Sequence, residues 1–401
     1  MYATAPPTLD DAEALGSSGT SRRTRRLSPS TDSRIDANAN PELEIRRTRR
    51  GDLLVHPRID GRALGWFAFD TGSSGHIIST KMARDLGLKP VAVGLNRSLS
   101  GTVESTVWQA RRMTLGPLTV RAPRFTGTDL SFLSSKLGVD VAGVIGCEAF
   151  SKCVVDLDYR GGSIALFDPD TYDRGKAKWR RLYSITGRPC IRAKFEGHRG
   201  LMLIDTGSDG AATFYPHAVR RYGLLEHRKT QAARSAGMTG HSENRVGTLD
   251  WIAFAGRRFH DVPGVLFSTG ASRLRPGERT PAGHLGCRLL MPFKIVLDWQ
   301  RRRVAFIRHE RVEVDRDILD DYVGTYRIAE GDRREVRRDG HRLFTRRNEH
   351  PSFEVFPESD TRFYYADSLV YCQFIRGDAG RVTHMVVCHP GIPDKKAPKM
   401  D

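Results

Sequence analysis

The sequence predicts a mainly β protein in which two pseudo-symmetric β lobes share one chain and a small β domain follows them at the C-terminus. Three observations carry that prediction. Four landmarks recur in the same order in two successive stretches. Between them, alternating apolar residues and turn signals favour strands over helices. Finally, 39 Gly with only 8 % aromatic residues suits many short strands joined by turns better than a helical bundle.

The repeat begins with Trp66-Phe67-Ala68-Phe69-Asp70-Thr71-Gly72-Ser73-Ser74-Gly75 and returns as Leu201-Met202-Leu203-Ile204-Asp205-Thr206-Gly207-Ser208-Asp209-Gly210. Downstream lie Gly143-Val144-Ile145-Gly146-Cys147 and Gly283-His284-Leu285-Gly286-Cys287, at separations of 76 and 81 positions from Asp to the second Gly. An apolar run ending in Asp follows each: Val154-Val155-Asp156, then Ile295-Val296-Leu297-Asp298. The last landmark is a further apolar strand, residues 164–167 and 304–307. Short helices are expected after each Asp loop, over 79–86 and 216–222, each ending near a Gly-Leu that suits a C-cap. About thirty positions past each Asp, Ser98-Leu99-Ser100-Gly101-Thr102 and Ala236-Gly237-Met238-Thr239-Gly240 read as hairpins with mobile tips.

Composition narrows the function classes. A chain of 401 residues can bury a sizeable core, and its 39 % hydrophobic and 28 % charged residues are ordinary for a soluble globular protein. No apolar run reaches the roughly 18 residues of a membrane-spanning helix. The net charge of +17 would permit an anionic partner, yet the Arg residues are scattered and no Arg/aromatic interleaving suits base stacking, so nucleic acid is not the expected partner. Cys-x-x-Cys and His-Glu-x-x-His are both missing, and no metal site is expected. His241, His260 and His284 read as structural or surface residues. Neither Ser-x-x-Lys nor Gly-x-Ser-x-Gly occurs, which disfavours a serine hydrolase. Cys372 and Cys388 lie on neighbouring apolar stretches, where a disulfide and two buried thiols are both open.

The expected domains are a disordered segment over 1–45, a first lobe over 46–178, a second over 179–312 and the small β domain over 313–401. The first segment holds no secretory apolar region, so the compartment is the cytoplasm unless an export signal lies outside this chain.

Chemistry points to the two Asp loops. Two carboxylates held close cannot both ionise, so one can take a proton from water while the other donates a hydrogen bond to a carbonyl oxygen. Four apolar residues before each Asp deliver it on a buried strand. Thr71 and Thr206 can hydrogen-bond across the lobe interface, and Gly72 and Gly207 let backbone pass close to the carboxylates. Ser73 and Ser208 can orient the outer carboxylate oxygens. Asp156 and Asp298 read as strand-end turn residues, Cys147 and Cys287 as small core fillers, and Trp108 as a core or flap-base residue ahead of a specificity pocket.

These motifs resemble the retropepsin/pepsin-like aspartic peptidase superfamily, and within it the bacterial single-chain retropepsin-like aspartyl proteases, over roughly residues 50–310. The resemblance implies retropepsin-like (acid protease) β lobes, an aspartic-type endopeptidase with Asp70 and Asp205 as catalytic pair, and a supporting Thr pair. It also implies flaps at Gly101, Thr102, Gly237 and Met238 closing over an extended peptide or protein substrate, with no cofactor, in a monomer with an internal pseudo-two-fold. Relatives of this kind suggest a periplasmic or secreted setting. Departures are His284 at an otherwise apolar place, Asp209 beside the second loop, and no Tyr in either flap. The tail, through Leu319-Asp320-Asp321-Tyr322-Val323-Gly324-Thr325-Tyr326, Phe356-Pro357-Glu358-Ser359 and residues 374–382, is similar to the small β domain appended to some β-lactamase-like serine hydrolases. The competing reading is a catalytically degenerate peptide- or polymer-binding protein on the same fold.

Overall fold

Short β-rich segments bounded by Gly-containing turns pair into two eight-stranded sheets, two five-stranded sheets and a barrel, as the alternation requires. The computed structural model describes residues 32–48, 51–98, 101–159, 161–173, 175, 178–237, 240–270, 280–308, 312–365, 370–388 and 394–400. Two compact units result, one of residues 1–257 and 261–308, the other of 309–401 with 258–260.

In the first unit the duplication extends to every strand of the two eight-stranded sheets. The first lobe's eight-stranded sheet runs Ile45–Arg47, Leu53–Val55, Trp66–Phe69, Val141–Ile145, His76–Ser79, Arg124–Thr128, Gly101–Gln109, Lys89–Ser98. The second lobe's sheet runs Tyr183–Ile185, Arg188–Phe195, His198–Ile204, Gly283–Leu285, Ala212–Phe214, Arg257–Ser268, Gly240–Phe254, Thr230–Gly237. The two orders correspond strand for strand. In both, the strand leading to the Asp pairs in parallel with the strand leading to the Gly-Cys, with Phe69 opposite Ile145 and Ile204 opposite Leu285. That register fixes each Asp at the C-terminal end of a buried strand.

A five-stranded sheet joins the lobes: Ser163–Phe167, Val154–Asp158, Phe293–Asp298, Arg303–Arg308, Trp179–Arg181. Its central pair crosses from one lobe to the other, with Val155 opposite Leu297 and Asp156 opposite Val296. Asp156 therefore lies within a strand, bound by Tyr172 Oη (2.9 Å) and Lys294 Nζ (3.1 Å), rather than at a strand-end turn. Asp298 does end its strand: it accepts from the Arg301 amide (2.9 Å) and pairs with Arg303 (2.8 Å).

Local signals place the smaller elements. The helix Thr80–Asp85 is capped by Ser79, and Gly87 beyond it has φ 65°, the left-handed conformation a glycine adopts without a Cβ clash. The helix Pro216–Arg221 starts on proline, and Gly223 beyond it has φ 60°. Both expected hairpins form, with Ser98 opposite Gly101 and Gly237 opposite Gly240; Met238, at the second tip, lies outside the described residues. Trp108 is buried at the base of the first hairpin, beside Gly127. A helix over Ser131–Leu137 was not anticipated; Leu133 and Leu137 bury its inner face.

The N-terminal boundary also moves. Ser33–Ile35 pairs with Leu118–Arg121, Glu42 bridges Ala165, and Leu43 is buried, so the first lobe recruits residues from 32 onward. Composition misled there because this arm is held by pairing to distant strands and not by an apolar pattern of its own. Residues 1–31 of the expected disordered segment lie outside the described residues.

The second unit is a closed, all-antiparallel eight-stranded barrel running in chain order from Gly324–Ala329 to Lys395–Met400, closed by pairing of Thr325 with Met400. Cys388 stands opposite Tyr371 and Cys372 opposite Val387, so the two side chains leave opposite faces of the sheet. Both are free thiols, which resolves the open choice against a disulfide.

Leu43→Ala tests the arm. Truncating this buried side chain should lower unfolding free energy by about 2–3 kcal/mol in urea titrations. A loss below about 0.5 kcal/mol would show that the arm only rides on the surface.

Candidate active site

Each Asp loop is hung from its partner strand by one hydrogen bond: Asp70 N donates to Ile145 O, and Asp205 N to Leu285 O, both at 3.0 Å. The chain then turns sharply, and the amide two residues on closes over the carboxylate. Gly72 N reaches Asp70 Oδ1 at 2.7 Å and Gly207 N reaches Asp205 Oδ1 at 3.0 Å.

Between the loops the threonines form a reciprocal clasp. Thr71 Oγ1 donates to Ile204 O (2.7 Å) and accepts from Thr206 N (3.1 Å). Thr206 Oγ1 donates to Phe69 O (2.7 Å) and accepts from Thr71 N (2.9 Å). Each hydroxyl thus serves one donor and one acceptor of the other lobe, and nothing polar in the clasp is wasted.

The clasp decides where the carboxylates lie. A Cβ built on Gly72 would sit 2.3 Å from Asp205 Oδ1, and one on Gly207 would sit 2.5 Å from Asp70 Cγ. Each glycine of one loop therefore rests against the acid of the other. Asp70 and Asp205 are fully buried, and Oδ2 of each makes no hydrogen bond among the described residues. Burial, and then the charge of Asp205, push the Asp70 carboxyl well above the usual carboxylate range.

Other predicted residues are placed as follows. Ser73 reaches Asp70 Oδ1 through its amide (3.2 Å), while its hydroxyl donates to Gly75 O (2.8 Å). Ser208 is buried, and its Oγ lies against Gly286. Gly101 and Gly237 flank the tips of the two hairpins, and Thr102 pairs with Arg97 beside the first. Asp209 turns to the other lobe, where Lys136 Nζ of the unanticipated helix meets it at 3.3 Å.

Sequence reasoning missed a further layer beneath the loops. The thiols of Cys147 and Cys287 donate to the carbonyls of Thr71 (2.9 Å) and Thr206 (3.2 Å), bracing the turns from below. Burial first, with nearby acids adding to it, pushes both thiols up, so they stay protonated donors. Their matched positions in the repeat were the available signal. His284 lies fully buried with Nδ1 3.3 Å from Tyr215 Oη and 3.9 Å from Asp205 Oδ2. Burial lowers its pKa and the Asp205 charge opposes that. In the first lobe the corresponding place holds Val144.

His76, six residues past Asp70, accepts from Gly146 N at 3.3 Å through Nδ1, and its Nε2 faces Glu148 Oε1 at 3.3 Å. Burial lowers the imidazole to about 3 and raises the Glu148 carboxyl to about 8. Among the described residues no cluster of His, Cys, Asp and Glu could hold a metal ion.

With this geometry in view, the comparisons define the class. Residues 55–149 and 191–288 each match the family model described as aspartyl protease, so both lobes are aspartyl-protease-like domains. Residues 308–395 match a second family model, described as a domain of unknown function, DUF3471. No curated protein matches the chain.

Two experiments probe the site's construction. Thr71→Val and Thr206→Val should each destabilise by about 1–3 kcal/mol per polar group left unpaired, and the double variant, with four such groups instead of two, should lose more than either; losses below about 0.5 kcal/mol in both single variants would deny the clasp. Glu148 has a raised folded pKa, so its contribution is fully present below pH 4.5 and is lost as pH rises toward about 8. Glu148→Gln should flatten the fall of the urea midpoint across that window, and an unchanged slope would contradict the buried neutral carboxyl.

Proposed function

We propose that the chain is an aspartic endopeptidase that cleaves an extended peptide by a water activated between Asp70 and Asp205. The observation that carries the reading is the reciprocal approach of each Gly to the other loop's acid, which leaves Oδ2 of both carboxyls without a protein hydrogen bond. Such a pair can share one proton and one water.

In this mechanism the shared proton rests on Asp70, whose carboxyl is pushed up by burial and by its neighbour's charge. Asp205 takes a proton from water as its oxygen bonds to the scissile carbon. Asp70 gives its proton to the carbonyl oxygen. Asp205 then passes the proton it took from water to the amide nitrogen while Asp70 takes one back from a hydroxyl of the gem-diol, and the C–N bond breaks, releasing an acid and an amine and restoring the pair. Gly101, Thr102, Gly237 and Met238 would cover the substrate backbone, and Thr71, Gly72, Ser73, Thr206, Gly207 and Ser208 would hold the acids in register. The chain works as a monomer in this scheme, because one polypeptide supplies both halves of the dyad.

Asp70→Asn and Asp205→Asn, nearly isosteric changes, should each remove cleavage of a peptide library between pH 3 and 8 by at least about 10³-fold while circular dichroism stays unchanged. Substantial turnover in either variant would refute the assignment. Tight peptide binding by the native chain with no cleavage at any pH would favour the degenerate binding protein. The raised Asp70 carboxyl also sets a sign: the alkaline limb of kcat/KM should lie well above pH 4, the ordinary carboxylate range.

A further inference from the structure

The C-terminal barrel carries an unanswered charge. Arg334 lies on the strand Asp332–Asp339, whose alternation points Arg334 and Val336 inward and Glu335 and Arg337 outward. On the inner face Tyr326 and Arg347 stand directly opposite it on the two adjoining strands, and Val336, Val355 and Cys372 belong to the buried core there. Arg334 is itself only 9 % exposed.

Several of the barrel's other arginines have carboxylates. Arg337 and Arg346 pair with Glu335, Arg338 with Asp320, Arg342 with Asp339, and Arg376 with Asp321. Asp332, which lies within electrostatic reach of Arg334, is taken by Arg347 in a two-pronged contact at 2.8 and 2.6 Å. Arg334 forms no ion pair among the described residues. Its Nη1 donates to Thr345 Oγ1 (3.3 Å) and to Tyr365 Oη, and its buried Nε has no hydrogen-bond partner. A guanidinium this buried without a counter-ion is unfavourable, because desolvation is not offset by an opposite charge. Two hydroxyls and the Tyr365 ring, 5.7 Å away, supply dipoles but no negative charge.

The surrounding end of the barrel suits a ligand that brings that charge. Phe353 stands opposite Thr345, on the inner-face register, yet is 55 % exposed where its strand begins. Lys395 stands opposite the buried Val387 at the same end and is exposed. An exposed aromatic and a second cation thus lie at the same end of the barrel as Arg334.

We propose that this end of the barrel binds a carboxylate carried on an apolar group, with Arg334 as its counter-ion and Phe353 against the apolar part. A planar carboxylate can take two parallel N–H bonds from one guanidinium, which fits an arginine whose Nε is still unbonded. The chain end of a peptide and a fatty acid share this chemistry. This inference does not depend on the peptidase reading, since the dyad plays no part in it.

Calorimetric titration of the full chain tests it with matched probes: decanoate against decan-1-ol, and a short peptide ending in Leu-Phe as free acid against its amide. The expected result is that at least one acid binds about tenfold or more tightly than its uncharged partner, and that Arg334→Met abolishes this preference. Which acid binds identifies the source. Equal affinity for acid and uncharged partner, no binding of either acid, or tighter binding of inorganic phosphate than of both acids would overturn the proposal. Should Arg334→Met fail to fold, Phe353→Ser serves instead: it should weaken the preferred acid several-fold, and unchanged affinity would count against the site.

Discussion

Everything in the first unit depends on two threonine hydroxyls each doing two jobs across the lobe interface. Thr71 and Thr206 tie the last carbonyls of the two Asp-bearing strands to the opposite loops. The loops cannot separate without leaving four buried backbone groups unpaired, each worth about 1–3 kcal/mol. That coupling explains why two buried acids tolerate each other's company. Electrostatic repulsion and desolvation both push the carboxylates apart or toward neutrality, while the clasp and the amides of Gly72 and Gly207 hold them where they are. The site is therefore a strained electrostatic arrangement maintained by unstrained hydrogen bonds.

The supporting layers follow from the same constraint. A turn that carries a buried carboxylate must have its own backbone satisfied, or the desolvation accumulates. Cys147 and Cys287 answer for the threonine carbonyls, and the Cys amides return to Ser73 O (2.9 Å) and Ser208 O (2.7 Å). Gly146 and Gly286 can have no side chain, because a Cβ there would stand 2.2 and 2.3 Å from the carbonyls of Gly75 and Gly210. The Gly-Cys pair after each lobe's closing strand is thus a packing requirement and a hydrogen-bond requirement met by adjacent residues.

Much of this was legible in the sequence. The two Asp-Thr-Gly loops, the apolar strands that deliver them, the capped helices ending at Gly87 and Gly223 and the paired hairpins all follow from local pattern, and all are present. What stayed hidden was non-local. Ser33–Ile35 has no apolar alternation and becomes a strand only because Leu118–Arg121 offers an edge. The helix Ser131–Leu137 is seven residues long, too short to announce itself by periodicity. Asp156 reads as a turn residue until the second lobe's strand is laid beside it and Lys294 arrives from there. The thiols looked like core fillers because spacing reports where a residue falls and not which carbonyl lies above it.

Duplication made the backbone symmetric and left the side chains free to differ, and the differences collect around the acids. The amide of Gly146 is taken by the ring of His76, whereas the amide of Gly286, its counterpart, is taken by the carbonyl of Ala211 at 2.9 Å. One demand is met by a side chain in one lobe and by backbone in the other. The reverse asymmetry holds one strand away, where His284 approaches Asp205 and Val144 occupies the matching place near Asp70. A polar ring beside the Asp205 carboxyl, with only a valine at the matching position of the first lobe, makes the surroundings of the dyad unequal before any substrate arrives. In the proposed reaction one acid must hold the proton and the other must accept one, so a perfectly symmetric pair would have to break its symmetry at each turnover. Here the surroundings are already unequal, so the substrate need not supply the whole difference between the two acids.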